Sequence, residues 1–136
     1  MTEVNSNPEL AFLYGLTYDP VNDKLYGTKN GKLMEISTTA GGPVTEIGTH
    51  VGLFNSLAYD TDNDVLFGPA AATGASAILN LYQISPADGS ITLKGTTGLP
   101  NAFDGGMTYV DVAGQLIASS GIGNGKIYEV DRTSGS

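Results

Sequence analysis

The chain has 136 residues, enough for one domain and too few for a second core. Fourteen acidic residues against six basic ones leave a formal charge of −8, a field that repels a phosphate backbone and an anionic lipid surface alike, so neither nucleic acid nor membrane is expected as a partner. No apolar run approaches the ~20 residues that span a bilayer, and the absence of cysteine excludes disulfides, thiolate catalysis and cysteine-held zinc.

The opening residues 1–8 are polar and do not read as a signal peptide, which leaves the compartment open. From there the chain states one pattern three times. In the first copy, residues 16–18 form a first strand (A). Asp19-Pro20-Val21-Asn22-Asp23 supplies a turn, with proline at a position that accepts its fixed φ and Asn/Asp able to bond locally. Residues 24–28 return as strand B, 32–36 as C and, after Gly41-Gly42-Pro43, 44–47 as D. The second copy runs from Ser56 to Gly68 and resumes from Asn80 to Gly89; the third runs from Gly106 to Ala118 and resumes from Gly125 to Gly135.

The anchor tyrosines Tyr18, Tyr59 and Tyr109 recur at intervals of about 40–50 residues, the period of propeller blades with several short strands per unit. All three are expected to pack in the core. In the C strands Met34, Tyr82 and Tyr128 align, as do Ile36, Ile84 and Val130, two residues on and therefore on one face, with Glu35, Gln83 and Glu129 alternating between them. Nineteen glycines suit tight turns, and no segment holds a helical period, so essentially no helix is expected. The expected fold is all-β, three four-stranded antiparallel β-propeller blades over residues 10–49, 53–97 and 103–136.

The stretches Leu81-Tyr82-Gln83-Ile84-Ser85-Pro86-Ala87-Asp88-Gly89 and Leu16 to Tyr26 carry a likeness to known repeats. They resemble bacterial β-propeller repeats of the YVTN-like and NHL-like groups and their uncharacterised extracellular relatives. The likeness covers nearly the whole chain and implies a propeller; for localisation it implies a secreted or periplasmic protein. It is not specific for function, because those groups include binding scaffolds, lyases, lactonases and assembly proteins. The WD-type signature is absent, since the chain has no tryptophan.

The two ends are complementary. The third copy stops at Asp131-Arg132-Thr133-Ser134-Gly135-Ser136, which matches the segment before strand D in the second copy. Thr2-Glu3-Val4 matches Thr45-Glu46-Ile47, a strand D without a blade of its own. Three wedge-shaped blades leave an arc with two apolar faces, while propellers close at ~4–8 blades. Two copies make six, related by a two-fold axis. The expectation is a homodimer in which residues 2–5 (Thr2, Glu3, Val4, Asn5) of one copy pair with residues 126–130 of the other, from Lys126 to Val130. The competing reading is a fragment of a longer chain.

In a propeller the D-to-A and B-to-C loops share one face, where ligands commonly bind. Here they are residues 6–13, 49–54 and 98–103, and 29–31, 69–79 and 119–125. The long small-residue loop 69–79 reads equally as a binding insertion and as a tolerated one. Candidate ligand-binding residues are Tyr14 and Asn55 at the starts of strand A, Asp104, which stands where the other copies have Leu13 and Phe54, and His50, the single histidine.

Each candidate also has a plain reading: Asp104 as a solvated turn residue, His50 as a surface residue. Asp60-Thr61-Asp62-Asn63-Asp64 offers carboxylates at alternate positions but lacks the glycine and distal glutamate of a calcium loop, so turn chemistry explains it. No cofactor is expected, calcium being the one candidate. Gly121-Ile122-Gly123-Asn124-Gly125-Lys126 lacks the spacing of a phosphate loop, and no nucleophile motif occurs.

Three functional readings follow. One is a non-enzymatic binding or interaction scaffold presenting a loop face to a small ligand, glycan or protein. Another is a lactonase- or lyase-type enzyme with its site at the channel mouth. The last is an engineered or evolutionary half-propeller fragment without a ligand.

Overall fold

The computed structural model describes residues 5–49, 54–71, 78–100, 105–119 and 125–136. Among the described residues eleven strands form three antiparallel sheets in sequence order, of four, four and three strands. The first holds β1 (Tyr14–Asp19), β2 (Lys24–Lys29), β3 (Lys32–Ser37) and β4 (Val44–Thr49); the second β5 (Ala58–Asp60), β6 (Val65–Ala71), β7 (Ile78–Ile84) and β8 (Ile91–Pro100); the third β9 (Met107–Val110), β10 (Gln115–Ser119) and β11 (Ile127–Val130). Each sheet pairs its strands in chain order, so every connection within it is a hairpin. Among the described residues the single helical element is the 3-10 turn Pro8–Leu10, opened by Asn7, whose side chain accepts the Glu9 backbone N–H at 2.9 Å.

Copy-to-copy register is the same where it can be compared. Tyr26 pairs with Glu35 in the first sheet and Phe67 with Gln83 in the second. The fourth strands of both sheets bulge one residue from the same place, at Ile47 and at Lys94. Consecutive sheets meet through their first strands, β1 beside β5 and β5 beside β9, and two apolar clusters fill the seams. The first seam holds Tyr26, Leu33, Phe54, Leu57, Tyr59, Leu66 and Ile84, with Ile47, Tyr82 and Ile91 packed against them. The second holds Phe67, Leu81, Leu99, Met107, Leu116 and Val130, with Val65, Tyr109 and Tyr128 against them.

Two loop boundaries need correction. Residues 69–79 do not form one loop: Pro69, Ala70 and Ala71 continue β6 and pair with Leu81, Asn80 and Leu79 of β7. Only 72–77 separate the two strands, and they lie outside the described residues. Likewise Gly98 falls within β8 rather than opening a loop.

The anchor tyrosines are not all core. Tyr59 is buried, stacked on Tyr26 with centroids 6.2 Å apart, whereas Tyr109 is half-buried and Tyr18 is 47% exposed. Each of these rings faces the sheet before its own. The first sheet has none before it among the described residues, and Leu16, the equivalent of buried Leu57 and Met107, is 56% exposed for the same reason.

Candidate functional site

The hairpin between the first two strands of each sheet is built from its own carboxylates. In the first sheet Asp19, fully buried, accepts the backbone N–H groups of Val21 and Asn22 and the Asn22 side-chain amide. Burial pushes its pKa up, but these bonds outweigh burial and hold it below the ordinary carboxylate value. Asp60 repeats the turn with Asp62 and Asn63. The residue closing the hairpin sits at φ +52° in both cases, Asp23 and Asp64, and each takes the hydroxyl of its sheet's anchor tyrosine, Tyr18 at 2.9 Å and Tyr59 at 2.7 Å. In the third sheet Gly114 stands at that left-handed position, so Tyr109 has no such partner and donates across the seam to Asp62.

That change opens the arrangement with the most chemistry. Arg132, in the turn after β11, sends Nη1 to the buried Asp60 Oδ2 at 2.6 Å and to the Tyr109 hydroxyl at 2.9 Å. Its guanidinium also lies over the Tyr109 ring, 5.2 Å from the centroid. The bond to Asp62, and then burial, push the Tyr109 phenol up to about 12. Below this network a 480 Å³ cleft runs between the second and third sheets, lined by Asp60, Asn63, Val65, Phe67, Gln83, Lys94, Arg132 and Thr133.

The first seam carries the equivalent positions and uses them differently. Val65 and Gln83 correspond by register to Lys24 and Glu35, which neutralise each other at 2.8 Å. Lys94 corresponds to Ile47, which packs on the first core cluster. Arg132 and Thr133 correspond to Pro86 and Ala87, because Asp131 and Ser85 close the same turn through equivalent backbone bonds. Lys94 reaches the Gln83 side-chain oxygen at 3.3 Å and has no carboxylate partner among the described residues.

Of the residues singled out in the sequence, Tyr14 and Asn55 sit at the opposite end of the strands. Tyr14 is half exposed, and its carbonyl shares the Thr28 hydroxyl with that of Phe54, at 2.9 and 2.7 Å. Gly15, at φ +48°, packs on Phe54 and Ser56, so the segments carrying Tyr14 and Asn55 are neighbours. Ser56 in turn accepts the Met107 backbone N–H at 2.6 Å, drawing in the start of the third sheet's first strand. His50 and Asp104 lie outside the described residues. Leu13 and Phe54, the aligned counterparts of Asp104, lie over Gly27 and Gly68, which explains why those two positions are apolar. No group of three His, Asp or Glu that could hold a metal occurs among the described residues.

The seam cleft went unnoticed in the sequence although its signal was there. Lys94 for Ile47 and Arg132 for Pro86 are departures from the repeat, visible once the copies are laid over one another.

The N-terminal segment is the other place where the sheets differ. In the first two sheets the fourth strand presses a glycine on the turn of the next sheet: a Cβ on Gly48 would overlap the Asp88 carbonyl oxygen, and one on Gly95 would overlap that of Ser134. Asn5, aligned with Gly48, meets the corresponding turn of the first sheet, its amide donating to the carbonyls of Ser37 and Gly42 at 3.4 and 3.3 Å. Residues 2–4 of the expected exchanged strand lie outside the described residues.

No protein-family profile matches the chain, and no curated protein does either. A solved structure does: a protein from work on how the de novo evolutionary emergence of a symmetrical protein is shaped by folding constraints. The two are 24% identical with a TM-score of 0.59, and the match covers 98% of this chain and 56% of that one. This chain therefore spans little more than half of that protein's length. The likeness bears on the fold, an all-β arrangement of repeated sheets.

Proposed function

We propose that the protein is a non-enzymatic binding scaffold of the β-propeller type, with each sheet a blade. Two copies complete a six-bladed ring and present a two-fold-symmetric loop face, carrying Tyr14, His50, Asn55 and Asp104, to a small ligand, glycan or protein. The observation that carries the ring is Asn5. It occupies, against the turn of the first blade, the place that Gly48 and Gly95 occupy against the turns of the second and third. In this reading Asn5 stands for the glycine of an outer strand that belongs to a blade preceding the first.

The uncovered faces suit the same occupant. Leu16 and Tyr18 are exposed where Leu57 and Tyr59 are buried, and Ile127 is 74% exposed where its counterparts Leu33 and Leu81 are fully buried. Leaving such side chains in water costs about 1.5–3 kcal/mol apiece, so a second copy that lays its first blade on the third blade of its partner gains at both junctions. Residues 2–5 then add a fourth strand beside β11, which lies at an edge of its three-stranded sheet.

Sedimentation of the full chain at micromolar concentration tests the assembly. The expected species has twice the monomer mass, and Tyr18→Asp shifts it toward monomer. A well-folded monomer, or a dimer indifferent to Tyr18→Asp, overturns the ring.

A further inference from the structure

The cleft in the second seam has a composition that packing alone does not require. At the first seam the equivalent positions hold one cation and one carboxylate in contact, Lys24 and Glu35, beside the apolar residues Ile47, Pro86 and Ala87. The second seam deletes the pair, leaving Val65 and Gln83, and adds cations at two of the apolar positions, Lys94 and Arg132. Within the lining one carboxylate, Asp60, balances one of the two, its oxygens taken by the hairpin and by Arg132, while Asp62 acts on Arg132 from outside the lining. The lining therefore carries an excess positive charge within a chain of net charge −8.

The available groups are donors. Arg132 is fixed by Asp60 and Tyr109 through Nη1, and its other N–H groups have no partner among the described residues. Lys94 spends one weak bond on Gln83, whose amide nitrogen remains to donate. A guanidinium held rigidly by a buried carboxylate and an aromatic ring is preorganised for an oxyanion, and an ammonium beside it adds a point charge. A space of 480 Å³ is far larger than an inorganic ion needs and falls in the range of small-molecule sites, ~300–1,000 Å³. The neutral polar groups of Asn63, Gln83 and Thr133 match hydroxyls around the anion, and Val65 and Phe67 supply the apolar side.

We infer that the seam between the second and third sheets is a binding site for a small organic anion, a carboxylate or phosphate ester on a polyhydroxylated body, with Lys94 and Arg132 as its charge partners and Gln83 and Thr133 beside them. The site lies at the opposite end of the strands from the loop face. It deepens the binding-scaffold reading by naming a ligand class, and it does not depend on ring closure.

The test is titration of the full chain, at low ionic strength, with D-glucuronate, D-glucose 6-phosphate and D-glucose, followed by amide chemical shifts and calorimetry. One or both anions are expected to saturate and to shift resonances of Gln83, Lys94 and Thr133, while glucose does not; the better of the two tells carboxylate from phosphate. Lys94→Ile and Gln83→Glu, which install the first seam's own residues, are expected to weaken the anion by about tenfold or more while the melting temperature stays near that of the parent. Binding of glucose as tight as of either anion overturns the inference, as does anion binding indifferent to Lys94→Ile, or no saturation by any probe. Failure here with an intact dimer in the centrifuge removes the ligand class and leaves the ring. A monomer that binds the anion does the converse.

Discussion

Between the first and second sheets, the outer end of the seam is closed by Ile47 packed on the core and by the Lys24–Glu35 pair; between the second and third, the same positions carry Lys94, Val65 and Gln83 around a cleft. The frame is common to both seams: the glycine of the fourth strand pressed on the next turn, the Asx hairpin, the bulge one residue before the glycine. What varies is a handful of side chains that the frame does not need. A repeat thus fixes geometry by its identities and leaves chemistry to its departures.

The frame itself is where the largest loss is expected. Gly48→Ala and Gly95→Ala each drive a methyl group into a backbone carbonyl of the next turn, which must move; each should cost about 3 kcal/mol, at the upper end of typical overpacking penalties. Urea midpoints of the two variants should fall by similar amounts. A Gly95→Ala protein with an unchanged midpoint would mean that the second seam is not held as the first is.

A reciprocal exchange separates the seams. Ile47→Lys removes an apolar side chain from the first cluster and should cost about 2 kcal/mol. Lys94→Ile, at the rim of the cleft, should change stability by less than about 1 kcal/mol. Equal costs in both directions would erase the distinction between a filled seam and an open one.

The smallest effect is the share of the alkaline pH dependence that belongs to the second seam. Tyr109 is pushed from the ordinary 10.0 up to about 12, first by its bond to Asp62 and then by burial. Its folded pKa lies above its unfolded one, so the stability it contributes is complete below about pH 10 and is lost as pH rises toward 12. Melting temperature against pH should fall less steeply over that interval in Tyr109→Phe than in the parent. Identical slopes would show that the cross-seam bond does not form.

Much of the frame could be read from the chain because it is written in local chemistry. Alternating side chains place Met34 with Ile36 and Tyr82 with Ile84 on common faces, and Asp-Asn hairpins punctuate the strands. Residues 69–71 were harder: proline and alanine are poor strand formers, and only pairing with Leu79, Asn80 and Leu81 of β7 makes a strand of them. Tyr18 exposes another limit. It is the same residue in the same motif as Tyr59, and its burial depends on a neighbouring sheet rather than on its own sequence. The cleft needed both kinds of information, since Lys94 and Arg132 lie thirty-eight residues apart in sequence and meet only because a fourth strand lies against the following turn.

The glycine contacts and the Asn5 bonds also differ in what they allow over time. A glycine seated on a carbonyl leaves no gap for solvent and no side chain that can rotate away, so the two internal joints part only when the strands around them unfold. Asn5 holds its turn through one half-buried amide making two long bonds, at 3.4 and 3.3 Å, which water can replace one at a time. The molecule therefore carries two rivets and one latch, and under rising denaturant the latch is the joint that releases first.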